Sequence, residues 1–200
     1  FEDVNNDGQL DSKDMKFMGY IRPDKVGGIV NSFKYKGLTV RVVMDWAMGH
    51  VIDNGFKGQI MGSSRNNNNA IKDAMTNSWQ SANDGTKYPK YTVQSDYDYQ
   101  YRNHMRWDNQ IGSSESGSTN NSLYFSKGDY LAFREVSLSY MLPSTWVRKI
   151  RLSGVEVFAG AYNIGYIKKY DGMFPEIYTG VDYGVYPRPR QYNMGVKINF

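Results

Sequence analysis

Cysteine is absent from these 200 residues, so no disulfide framework, thiolate nucleophile or cysteine-bound zinc can be built. Histidine is nearly absent too: His50 and His104 stand alone, in no metal-ligand spacing. There is no Gly-x-Ser-x-Gly elbow and no glycine-rich phosphate cradle, and carboxylate pairs such as Asp96/Asp98 read as solvated loop charges, so no enzyme is expected. No run of roughly 18 apolar residues occurs, which excludes a transmembrane helix. Nor does any Lys/Arg stripe, and without that footprint nucleic acid is not an expected partner. Phe1-Glu2-Asp3 begins no signal peptide, and we expect the chain to start inside something larger.

Leu, Ile, Val and Phe are sparse, whereas Tyr (17), Gly (20), Asn and Ser are plentiful, and the mean hydropathy is -0.63. A membrane barrel tolerates such a composition, because only every second wall residue needs to be apolar while loops and lumen are wet. The net charge of +4 is uneven. Residues 1–24 carry six acids against three bases, which leaves +7 on the remainder.

The informative pattern is alternation. In the terminal segment Tyr192, Met194, Val196, Ile198 and Phe200 fall on one face, with Gln191, Asn193, Gly195, Lys197 and Asn199 on the other. A period of two is that of a strand, and a last residue that is aromatic is how outer-membrane barrel strands commonly finish, so Phe200 reads as a C-terminal barrel signal. Leu38 to Met48 repeats the pattern, with Leu38, Val40, Val42, Met44, Trp46 and Met48 outward and Thr39, Arg41, Val43, Asp45 and Ala47 inward. Gly37 supplies a tight turn to the strand before it. Five strands are expected, over about 25–36, 38–49, 124–141, 151–163 and 190–200, with a bulge or strand end where Leu131-Ala132-Phe133 changes phase and a stop at Pro143. Ala70 to Gln80 has the makings of a short loop helix.

The connections alternate between short (Gly37, and the stretch around Pro143) and long (loops 50–123 and 164–189). Bacterial barrels keep short turns on the periplasmic side and long loops outside. If Phe200 ends in the periplasm, both long loops and residues 1–24 are extracellular. Single-chain barrels begin at about eight strands, and open edges in lipid leave backbone groups unsatisfied at several kcal/mol each. The fold class expected is therefore all-β: C-terminal strands (25–200) of a large antiparallel transmembrane β-barrel with long extracellular loops.

Two loops carry chemistry. Asp3, Asn5, Asp7, Gln9, Asp11 and Asp14 match the first, third, fifth, seventh, ninth and twelfth positions of an EF-hand-like calcium loop, with Gly8 at the sharp sixth position. Asp14 is shorter than the usual closing Glu, and no amphipathic helices flank the loop. The competing reading is an Asx-rich turn whose carboxylates bond local backbone. Loop 50–123 gathers aromatics, of which Trp79, Tyr91, Tyr97, Tyr99, Tyr101 and Trp107 form a candidate substrate or partner surface, since aromatic faces stack on sugars and apolar ligands. Alternatively, tyrosines make such a long loop its own core.

Several stretches in order resemble the C-terminal part of the SusC/RagA family of TonB-dependent outer-membrane transporters from Bacteroidetes. They are the Asp-x-Asn-x-Asp-Gly loop from Asp3 to Gly8; Gly19 with Pro23; Gly27-Gly28; Tyr35-Lys36-Gly37; Gly128-Asp129-Tyr130-Leu131 leading into Arg134-Glu135-Val136-Ser137-Leu138-Ser139-Tyr140 and Pro143; Asn163; Gly172-Met173 with Pro175-Glu176; Tyr186-Pro187; and Phe200. Phe174 before Pro175-Glu176 and Ala132 after Tyr130-Leu131 depart from the usual Asp and Arg. The resemblance implies a plugged barrel of about 22 strands in the cell outer membrane, surrounded by its lipid and importing glycans or peptides. It also implies a SusD-like lipoprotein over the extracellular mouth and a TonB complex acting through an N-terminal plug upstream of these residues. The alternative is a secreted, soluble, β-rich, calcium-stabilised carbohydrate-binding module; a barrel used only for anchoring is a third possibility.

Overall fold

In the computed structural model the described residues are 3–8, 12–61, 71–86, 88 and 122–200. The chain divides into two units. One comprises residues 22–50, 128–175 and 186–200, and the other residues 1–21, 51–127 and 176–185. Among the described residues no helix is long and apolar enough to cross a membrane, which says nothing of strands.

The first unit is a five-stranded antiparallel sheet. Its strands are β1 (Lys25–Tyr35), β2 (Leu38–Met48), β5 (Tyr130–Met141), β6 (Gly154–Lys168) and β7 (Gln191–Asn199), hydrogen-bonded in that order. Lengths of 9 to 15 residues suit tilted membrane-crossing strands, which need about 9–11. The β1–β2 hairpin closes on Lys36 and Gly37, both at positive φ (45° and 86°), the signature of a type I′ turn whose twist matches that of the strands. The second short connection leaves β5 at Pro143, makes one helical turn over Ser144–Val147 and a 3-10 turn over Arg148–Ile150, and reaches β6 through left-handed Arg151. Both short connections lie at one end of the sheet, together with the end of β7. Residues 49–129 and 169–190 connect the strands at the other end.

Register sorts the side chains into two faces, because directly paired residues in an antiparallel ladder share a side. Row by row, Phe33, Val40 and Leu138 align with Ala159 and Met194, and Asn31, Val42 and Val136 with Ala161 and Tyr192. Ser32, Arg41 and Ser137 align with Gly160 and Asn193 on the opposite side. Apart from Asn31, the first face is apolar and widely exposed; Met194 is 88% accessible. The second carries the polar and charged side chains, with Val30, Val43 and Phe158 among them.

The sequence reading differs from the structure at two strands. The region expected as one strand, 124–141, is two: Phe125–Lys127 (β4) belongs to the other unit, and β5 starts only after Gly128-Asp129. β6 starts later than expected, because 148–150 is a 3-10 turn, and continues past Asn163 to Lys168. The phase change in β5 is a bulge. Val43 faces Glu135 while Met44 faces Phe133, so Arg134 is the extra residue. Opposite it, β6 accommodates the irregularity at Asn163, held at φ 51°.

In the second unit β3 (Val51–Asp53) pairs with β4. The segment around Val181 joins in parallel, with Asp53 N–H donating to the Gly180 carbonyl and Asp182 N–H to the Asp53 carbonyl. Ile52 and Tyr124 are completely buried here. Helix α1 (Gly55–Met61) follows, its first turn capped by Asn54 Oδ1, which accepts from Lys57 N–H at 2.9 Å. Helix α2 (Lys72–Thr76) lies within the stretch expected to be helical.

Candidate functional site

The polar face of the sheet holds the charges. Arg134 donates from Nε to Asp45 Oδ2 (2.5 Å) and from Nη2 to Asp45 Oδ1 (2.7 Å), and from Nη1 to the Tyr166 hydroxyl (3.3 Å). A planar fork matched to a carboxylate is the strongest form of such a pair. Tyr166 continues into an edge-to-face series with Tyr130 and with Phe174, both at centroid distances of 5.9 Å. Small Ala47 and Ala132 leave room for these rings. Arg41 meets Glu135 at 3.4 Å. Arg41 and Asp45 thus share the face but each pairs across the β2–β5 seam, since four residues along a strand stand too far apart to pair with one another.

Where β2 ends and β5 begins, His50 is buried against Gly128, and among the described residues its Nδ1 has no hydrogen-bond partner. Burial lowers its pKa, partly opposed by the charges of Asp129 and Asp24. Burial alone would raise Asp129, but the Gly49 N–H at 2.8 Å, Lys169 Nζ at 3.0 Å and the nearby His50 hold it below the ordinary carboxylate range. Sequence reading singled out none of Arg134, Asp129 or Lys169 as a partner. Only the register brings them together.

In the second unit burial pushes Asp53 up to about 6, and pushes the Tyr124 hydroxyl up as well, with the Asp53 charge adding to it. Asp182 Oδ1 accepts from the N–H groups of Gly184 and Val185, fixing the segment on which Tyr178 and Tyr183 stand exposed. Phe17 and Tyr20 are likewise exposed and meet edge to face at 5.1 Å. Of the six loop aromatics expected to form a binding surface, Trp79 is exposed, its backbone N–H donating to the Tyr88 carbonyl. Tyr91, Tyr97, Tyr99, Tyr101 and Trp107 lie outside the described residues. Tyr88 is buried and its hydroxyl reaches Asp73 at 2.9 Å, so one loop tyrosine does serve as local core.

Of the calcium-loop residues, Asp3, Asn5, Asp7 and Asp14 are described, whereas Gln9 and Asp11 lie outside the described residues. Asp3 accepts from the N–H groups of Asp7 (3.3 Å) and Gly8 (2.8 Å), and Asp14 Oδ1 from that of Val4 (2.8 Å). The loop is drawn together by its own side chains, with Asn6 and Gly8 at positive φ. Among the described residues no group of three acids or histidines is placed to hold a metal ion.

An antiparallel sheet with one apolar exposed face, one charged face and alternating short and long connections is a section of a transmembrane β-barrel wall. The sequence narrows that class. Over the whole chain it is 25% identical to TonB-dependent receptor P3 of Formosa agariphila and 22% identical to TonB-dependent receptor P39 of the same organism. Over 45% of the chain it is 26% identical to TonB-dependent receptor SusC of Bacteroides thetaiotaomicron. The chain spans about a fifth of the length of P3 and P39 (19% and 18%). Among solved structures it superposes on the RagAB peptide transporter with a TM-score of 0.67 at 22% identity, covering 90% of this chain and 17% of that one. It also superposes on the RagAB peptide importer in the closed-closed state, with a TM-score of 0.66 at 22% identity, covering 92% and 18%. No protein-family model matches. The chain is thus a relative of TonB-dependent receptors of the SusC kind, with the fold of the barrel part of RagA-like outer-membrane transporters.

Proposed function

We propose that this chain forms wall strands and outer loops of an energy-coupled importer that takes up glycans or peptides with a SusD-like surface lipoprotein. The TonB complex would act on it through a plug carried elsewhere in the polypeptide. The supporting observation is the two-faced sheet, whose long connections all leave from one end, in a chain related to TonB-dependent receptors. Long loops face outward in this reading and Phe200 faces the periplasm. A lumen lined by Arg134, Asp45, Arg41 and Glu135 keeps those charges hydrated, whereas a soluble module would have to cover the apolar face. The exposed aromatics Trp79, Tyr178 and Tyr183 supply stacking surfaces suited to sugar rings or peptide side chains. Calcium held by Asp3, Asn5, Asp7, Gln9, Asp11 and Asp14 would order residues 1–24 beside the mouth.

Deleting the whole gene and measuring uptake of a panel of oligosaccharides and oligopeptides tests the import role. A defect confined to one substrate class is expected, with a surface lipoprotein co-purifying from wild-type membranes in mild detergent. Undiminished uptake of every substrate sinks the proposal and favours a barrel used for anchoring. For calcium, titration of the purified receptor to millimolar concentration is expected to show one equivalent bound, lost in Asp3→Ala; no uptake of the ion removes that part alone.

A further inference from the structure

The apolar face of the sheet carries a groove of about 410 Å3. Ala159 and Ala161 on β6 form its floor, with Val136 and Leu138 on β5 along one bank and Tyr192 and Met194 on β7 along the other. The register makes this a built feature. Val136, Ala161 and Tyr192 stand in one row across the strands, and Leu138, Ala159 and Met194 in the next but one, so two methyl groups are flanked on both sides by large side chains. A flat wall needs only lipid in general, but a trough between ridges offers one chain contacts on three sides.

The end of the groove toward the long connections carries a charge. Arg190 precedes β7, and its Nη2 lies 3.9 Å from where a Cβ on Gly165 would stand. Gly165 pairs with Phe133, which pairs with Met44, so that position is on the apolar side of the wall. Among the described residues Arg190 makes no ion pair or hydrogen bond. Lys169 and Arg134 at the same end are committed to Asp129 and Asp45. An exposed guanidinium without an acid, beside an apolar trough in a membrane wall, complements a molecule that has a hydrocarbon tail and an anionic head.

We propose that this groove binds one phosphate-bearing membrane lipid, with an acyl chain over Ala159 and Ala161 and the phosphate against Arg190. The receptor, purified from its membrane and delipidated in detergent, is mixed with dioleoylphosphatidylglycerol, dioleoylglycerol or inorganic phosphate and examined by native mass spectrometry. Retention of one phosphatidylglycerol is expected to exceed that of dioleoylglycerol by about fivefold, the factor that one basic residue near an anionic surface contributes. Arg190→Gln is expected to abolish that preference, Ala161→Phe to weaken retention of both lipids by filling the trough, and inorganic phosphate to displace neither. Ala159→Leu serves as a second filling variant, and heat-modifiable mobility on gels confirms that each variant barrel is folded. Wild-type retention in the folded Arg190→Gln and filled variants overturns the proposal. So does displacement by inorganic phosphate, which marks a simple anion site, or a lipid-free dimer broken by Ala161→Phe, which marks a second copy as occupant.

Discussion

Arg134 grips Asp45 with two parallel hydrogen bonds, 2.5 and 2.7 Å long, from the bulged residue that β5 inserts between Phe133 and Glu135 with no opposite number on β2. The bulge frees Arg134 from a direct pairing across the ladder, and its guanidinium runs along the polar face to Asp45 of β2 and Tyr166 of β6. Arg134→Ala leaves the Asp45 carboxylate without that partner and is expected to cost about 2 kcal/mol, less than a fully buried pair because Asp45 remains partly exposed. A double-mutant cycle with Asp45→Ala in urea titrations should return a coupling of about 1–2 kcal/mol; additivity would show the pair to be incidental.

The β1–β2 turn makes the reverse kind of test. Lys36 adopts a left-handed conformation that asparagine tolerates better, so Lys36→Asn should stabilise the barrel by a few tenths of a kcal/mol to about 1. Gly37→Ala should destabilise it, because φ is 86° and the new Cβ would stand 2.7 Å from the Met141 carbonyl oxygen. Equal stabilities of the two variants would contradict the turn assignment.

Two ionisable groups give opposite pH dependences. His50 has its folded pKa below the ordinary value of 6.5, so between the two values the unfolded chain binds more protons. Its contribution is complete above about pH 6.5 and is lost as the pH falls through that value toward the folded pKa. Amide protection where β2 ends and β5 begins, taken relative to the free-peptide exchange rate at each pH, should therefore fall on acidification, and His50→Phe should flatten the response.

Asp53, raised to about 6 from 3.8, works the other way. Its contribution is complete below about pH 3.8 and is lost as the pH rises through about 6, because ionisation in the buried site is disfavoured. Asp53→Asn is expected to protect the β3–β4 pair by roughly 1–3 kcal/mol at pH 8 and to change little at pH 4, as read by amide exchange of Ile52 and Ser126. Greater protection at acid than at alkaline pH in both proteins would assign the effect to another group.

Gly27 lies beneath the Trp46 indole, where an added Cβ would come within 2.3 Å of the ring. Gly27→Val should displace the ring and cost about 1–3 kcal/mol, visible as a red shift of the tryptophan emission.

How far the sequence led depended on the distance over which information had to travel. The faces of β2 and β7 were plain from alternation, because period two is a property of each strand alone. The Arg134–Asp45 pair was not, since it joins residues 89 apart and exists only in one register. Alternation alone ends β6 at Asn163, because the irregularity there and glycine at 165 interrupt a pattern that resumes at Tyr166 and Ile167. The sequence also runs β4 into β5, since Gly128-Asp129 looks like a strand entry, whereas Gly128 N–H bonds the His50 carbonyl at the break between two separate ladders. The candidate binding surface is legible only as composition, which points to the aromatics of loop 50–123 and not to the exposed Tyr178 and Tyr183 of the other long connection.

The pairing of Val51–Asp53 with Phe125–Lys127 ties together the two feet of the 71-residue insertion between them. Whatever that insertion contains, it is mounted on a closed stem, with entry and exit side by side. Length and composition above such a mount can change without reopening the ladder beneath. On the import role proposed above, grafting a different segment between the two feet of this stem would be a route to new substrate choice.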